Sequence, residues 1–104
     1  MSDESVNEIM SNFDFELVHR IMTLLDWKWH IINGVLIEEN FGRVPTVHEL
    51  KTTLNNLIHD RIKYAKENAA TTTIETGGFR VTAYVDGDQI SISASFVLTS
   101  CYVD

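Results

Sequence analysis

The chain has 104 residues and 44% hydrophobic content, enough for one domain with a modest core. Its 15 Asp and Glu residues outnumber 8 Lys and Arg for a formal charge of −7. That charge argues against a general phosphate-backbone binder, so genomic DNA is not expected as a ligand. A single cysteine, Cys101, cannot form an internal disulfide. With no charged-then-apolar leader and no apolar run near about 18 residues, the expectation is a cytoplasmic protein without a membrane segment.

Residues 1–12 carry Asp3, Glu4 and Glu8 with no basic residue, and read as an acidic N-terminal extension open to disorder. A single α+β domain is expected over residues 13–104. Asn12 or Asp14 is positioned to cap a first helix running to about Asp26, with Phe15, Val18, Ile21, Met22 and Leu25 on one apolar stripe that Trp27 closes. Asn33-Gly34 then separates Trp27-Lys28-Trp29-His30-Ile31-Ile32 from Val35-Leu36-Ile37-Glu38-Glu39, the strongest short-range signal for a β-hairpin. Thr46-Val47-His48-Glu49 follows Pro45 with capping-box spacing. A second helix is therefore predicted from Thr46 to about Asn68, its inner face formed by Val47, Leu50, Leu54, Leu57, Ile58, Ile62 and Ala65.

From Thr71 onward, Thr76-Gly77-Gly78 and Asp86-Gly87-Asp88 punctuate three runs rich in β-branched and aromatic residues, an antiparallel meander. Phe79, Val81, Ala83 and Val85 alternate with Arg80, Thr82 and Tyr84. Ile90, Ile92, Ala94, Phe96 and Leu98 alternate with Ser91, Ser93, Ser95 and Val97. A sheet with one apolar and one wet face needs a helical layer over the apolar one. The predicted order is α-β-β-α-β-β-β, two helices packed on one face of an antiparallel sheet.

The segments Phe13-Asp14-Phe15-Glu16-Leu17-Val18-His19, Leu25-Asp26-Trp27-Lys28-Trp29, Val44-Pro45-Thr46-Val47-His48-Glu49-Leu50 and Thr76-Gly77-Gly78-Phe79 resemble those of a family of small tailed-phage accessory proteins. The likeness covers roughly residues 13–98, with the paired tryptophans and the Gly-Gly-Phe turn as its most specific marks. It implies a viral accessory role, often counter-defence, acting in the host cytoplasm. It carries over no catalytic residue.

No catalytic or metal constellation stands out. His19, His30, His48 and His59 lack the spacing of a helical ligand pair, and one cysteine cannot build a sulfur-rich zinc site. Asp86-Gly87-Asp88 lacks the distant glutamate of a calcium loop and is ordinary turn chemistry. Cys101 lies after the last strand, where a dry nucleophile site is hard to build. No cofactor is expected, and no enzymatic activity.

Two features suit ligand binding. Residues two apart in a strand share a face, so Trp27 and Trp29 can offer a stacking platform, while core packing explains the same indoles. Gly77 and Gly78 offer amides unobstructed by side chains, with Lys28 and Arg80 as candidate partners for an anion. The leading expectation is thus a non-catalytic phage counter-defence protein that sequesters a small host nucleotide signal through Trp27, Lys28, Trp29, Gly77, Gly78 and Arg80. A homo-oligomer is expected, because pockets between subunits would compensate for the small core. The alternative is an acidic inhibitor that occupies a host nuclease or CRISPR effector in place of nucleic acid, using Glu38, Glu39, Asp3, Glu4, Glu8, Asp14 and Glu16. A phage structural or assembly protein is the third reading.

Overall fold

The computed structural model describes residues 3–25, 29–32, 35–38 and 43–97, with 3–5, 29–32 and 35–38 described through their backbone. The element order is α1 (Asp3–Asn12), α2 (Phe15–Leu24), β1 (Trp29–Ile32), β2 (Val35–Glu38), α3 (Val47–Asn68), β3 (Thr72–Thr76), β4 (Phe79–Asp86) and β5 (Gln89–Phe96). The class is α+β, as the alternation of patterns predicts, with one helix more than the sequence reading supplies.

That additional helix is α1, where the sequence reading has an acidic extension. Its own apolar content is thin, but Val6 is buried in the core and Ile9 and Met10 pack against it. Residues at i, i+3 and i+4 share one face. The helix is therefore held by tertiary packing; its propensity alone would not sustain ten residues. Phe13 and Asp14 break the chain between α1 and α2, and the Asp14 carboxylate accepts the Leu17 amide at 3.0 Å, the cap expected for that position.

The helix α3 begins as its capping box dictates. The Thr46 hydroxyl accepts the Glu49 amide at 3.1 Å, and the Glu49 carboxylate accepts the Thr46 amide at 2.9 Å. Leu50, Leu54, Leu57, Ile58, Ile62 and Ala65 are buried along it, as the period predicts. Two positions differ: Val47 is only half-buried, and Thr53 is buried although the apolar pattern omits it. The helix ends at Ala69 in the left-handed region, φ 48°, a conformation that glycine adopts without penalty.

The strands form two antiparallel sheets, β1–β2 and β3–β4–β5, not one. In the first, Ile32 faces Val35, the register expected around a two-residue hairpin connection. In the second, Thr76 faces Phe79 across Gly77 (φ 64°) and Gly78 (φ 84°), both positive as a type I′ turn requires. Asp86 faces Gln89 with Gly87 alone positive (φ 61°), the pattern of a type II′ turn. The central strand β4 buries Phe79, Val81 and Ala83 under α3, and Phe79 meets Phe13, Phe15 and Phe96 edge-on. On the opposite face Thr82 is also buried, its hydroxyl 2.9 Å from that of Thr73.

Candidate functional site

The residues singled out from sequence are not gathered at one described rim. Trp27 and Lys28 lie outside the described residues. Trp29 is placed by its backbone, opposite Glu38 in the β1–β2 hairpin. Arg80 sits on the outer face of β4, directly across from Glu75 of β3, and donates to that carboxylate at 3.2 Å. A phosphate would have to compete with this cross-strand partner. Gly77 and Gly78 are both buried, and the Gly78 carbonyl accepts the Val97 amide at 2.7 Å. Their amides are thus not displayed to solvent as an open anion cradle. Of the expected acidic face, Glu39 lies outside the described residues, Glu38 is placed by its backbone in β2, and Glu8, Asp14 and Glu16 are exposed.

A surface that the sequence reading missed is the solvent side of α2. The buried side of this helix is Phe15, Val18 and Met22. Leu17, Ile21 and Leu24 follow a second apolar line at i, i+4 and i+7, offset from the first. Leu17 is 46% exposed, Leu24 78% and the following Leu25 46%, while Ile21 is half-buried. The sequence reading places Ile21 and Leu25 on the core stripe; in the structure only Phe15, Val18 and Met22 of this helix join the core cluster with Val6, the α3 residues, Phe79 and Val81. The signal is present in the spacing of Leu17, Ile21 and Leu24, but the sequence reading takes Ile21 into the core stripe and gives Leu17 and Leu24 no role.

Clefts flank α2 on both sides. One, of ≈ 260 Å³, is walled by Phe13, Leu17, Val18, Ile21 and Phe96, and joins α2 to the end of β5. The other, of ≈ 450 Å³, is bounded by Glu16, His19, Arg20, Thr23, Leu24 and Val47 and opens toward the start of α3. Apolar side chains therefore line one flank and mixed polar groups the other. Among the described residues of α1 and α2 the exposed carboxylates are Glu8, Asp14 and Glu16, against the exposed Arg20, and Lys51 of α3 shares a neighbouring cleft with Asp14 and Glu16.

Beyond α2, the ion pairs are structural. Arg43 grips Glu49 with two guanidinium contacts, at 2.5 and 2.7 Å. This pairing, helped by the Thr46 amide and opposed by partial burial, holds the Glu49 carboxyl at about 2, well below the usual range. Arg61 bonds Asp60 and the Thr72 hydroxyl (2.9 Å), and its guanidinium lies 5.0 Å from the Tyr64 ring centroid, tying α3 to β3. Among the described residues no group of three or more His, Cys, Asp or Glu side chains converges as metal ligands would, and no helix is long and apolar enough to cross a membrane. Comparison with known proteins finds no matching family model, no matching curated protein and no matching solved structure.

Proposed function

We propose that this chain is a non-catalytic protein-binding module, an acidic inhibitor that docks through the solvent side of α2. The observation that supports this most directly is the leucine line, Leu17, Ile21 and Leu24, left open on a helix whose other side is buried. Contiguous apolar surface rimmed by polar groups marks an interaction site. Each leucine that a partner covered would contribute up to about 1.5–3 kcal/mol. The carboxylates along α1 and α2 select the partner's charge. A basic surface is attracted, and an acidic one is repelled. In the phage setting that the sequence resemblance implies, such a surface is the nucleic-acid groove of a host nuclease or CRISPR effector.

A photoreactive side chain installed at position 24 tests this, with one at the exposed Lys63 of α3 as control. Extract from infected cells should yield a labelled nucleic-acid-binding protein from position 24 and none from position 63, with labelling reduced as salt rises above about 0.15 M. Equal labelling from both positions would refute the assignment. Calorimetric titration with cyclic dinucleotides and ADP-ribose derivatives separates the nucleotide-trap reading: saturable heat with any of them would favour it over the inhibitor.

A further inference from the structure

Among the described residues, β5 has one strand neighbour, β4. The direction of its backbone groups follows from the two turns. Residues flanking a two-residue hairpin turn form a hydrogen-bonded pair, and the bonding direction then alternates along each strand. Asp86 and Gln89 flank the second turn, so Gln89, Ser91, Ser93 and Ser95 direct their N–H and C=O groups at β4. The Val97 amide continues this alternation by donating to the Gly78 carbonyl. The N–H and C=O groups of Ile90, Ile92 and Ala94 consequently point away from β4, along the edge of the sheet.

Nothing in this strand discourages pairing. Natural edge strands are blunted by lysines, prolines, bulges or short length. The run Gln89 to Val97 contains no charged residue and no proline, and its register with β4 is unbroken from Asp86–Gln89 to Phe79–Phe96. Its inward side chains, Ile90, Ile92, Ala94 and Phe96, are each only half-buried, whereas Phe79, Val81 and Ala83 beside them on β4 are buried. The apolar face is thus incomplete along this side.

We infer that β5 pairs antiparallel with β5 of a second copy of this chain, about a two-fold axis at Ser93, to give one continuous six-stranded sheet. Charge and register both suit a second copy on this edge. Two bodies of charge −7 repel, and this uncharged strand is where they approach with least cost. The edge groups of Ile90, Ile92 and Ala94 must meet groups of the same parity. An axis at Ser93 does this, setting Ile92 of each copy against Ala94 of the other. Asp88 then falls beyond the paired strand, so no carboxylates face each other. The hydrogen-bonding edge of Ile90, Ile92 and Ala94 is distinct from the leucine line of α2, which adjoins β5 at Phe96, and the pairing does not depend on that line binding a protein.

Ser93 would face its own symmetry mate in a non-hydrogen-bonded pair, where Cα atoms lie about 4.5 Å apart, within disulfide reach. Ser91 would instead face Ser95. In a Cys101→Ser background, Ser93→Cys should therefore cross-link into a covalent dimer under mild oxidation, at a yield at least tenfold that of Ser91→Cys. Light scattering of the native chain should give twice 11.9 kDa. Ala94→Pro removes an edge N–H that β4 does not use, so it should weaken the dimer tenfold or more while circular dichroism keeps its native form. Ser93→Lys, at an exposed position, should do likewise by placing two like charges across the axis. A monomer at every concentration, equal cross-linking from both cysteine positions, or a dimer untouched by both Ala94→Pro and Ser93→Lys would overturn the inference.

Discussion

Truncating Leu54 to alanine probes the contact between α3 and the sheet most directly. Leu54 is fully buried at the middle of α3, with Leu50, Leu57 and Ile58 a turn away and the Phe79–Val81 face of β4 beneath the helix. The substitution removes three carbons, about 2.4 kcal/mol at about 0.8 kcal/mol each. The neighbours are themselves fully or almost fully buried, so they have little room to relax, and the residual cavity adds on the order of 1–2 kcal/mol. The expected loss is therefore about 3.5–4.5 kcal/mol, a large part of the roughly 5–15 kcal/mol that holds such a domain. Urea titration followed by tryptophan fluorescence reads it as a midpoint lowered by about 2 M, for a slope of about 1.5–2 kcal/mol/M. Leu24→Ala is the matched control, since a leucine 78% exposed has little to lose and should change stability by less than about 0.5 kcal/mol. A loss below about 1 kcal/mol for Leu54→Ala, or equal losses for the two variants, would refute the packing argument.

What the sequence made legible divides along physical lines. The strands β3–β5 and the start of α3 were readable because local chemistry specifies them. Gly77-Gly78 and Asp86-Gly87-Asp88 demand particular turns, and Thr46 with Glu49 satisfies both donors of a helix start. The helix α1 was not readable, because its stability lies in the burial of Val6 among residues far along the chain, a tertiary term with no local signature. Thr53 was missed for a related reason: an apolar template cannot see a hydroxyl that packing encloses. The expected site fared differently. Arg80 sits on the wet face as parity predicts, but its cross-strand neighbour Glu75 is set by the register of the first turn, and that pairing changes what Arg80 is free to bind. The leucine line of α2 was written in the spacing of Leu17, Ile21 and Leu24, yet only the structure shows which of two adjacent apolar stripes the core consumes.

Further expectations concern the ends of α3 and the outer face of the sheet. Ala69→Gly relieves a left-handed residue and should raise stability by about 0.5–1 kcal/mol; an unchanged or lower thermal midpoint would contradict the cap geometry. Thr46→Ala removes the hydroxyl that accepts the Glu49 amide and should cost about 0.5–2 kcal/mol in the same urea assay. Arg80→Ala breaks one exposed pair with Glu75 and should shift stability by no more than about 1 kcal/mol. The acid limb of the stability profile tests the Arg43–Glu49 pair. The Glu49 carboxyl is held at about 2 when folded, below its value near 4.5 in the free side chain, so the unfolded chain takes up its proton first as pH falls. The pair's contribution is therefore complete above about pH 4.5 and is lost progressively as pH drops toward 2. Arg43→Ala removes the largest cause of the lowered value while leaving the Thr46 cap in place, so the variant should lose less stability than the native chain between those limits, whatever the other carboxylates contribute to both. Parallel profiles from pH 5 to 2 would mean that the guanidinium does not set the Glu49 proton affinity, and the anchoring of the α3 start would rest on Thr46 alone.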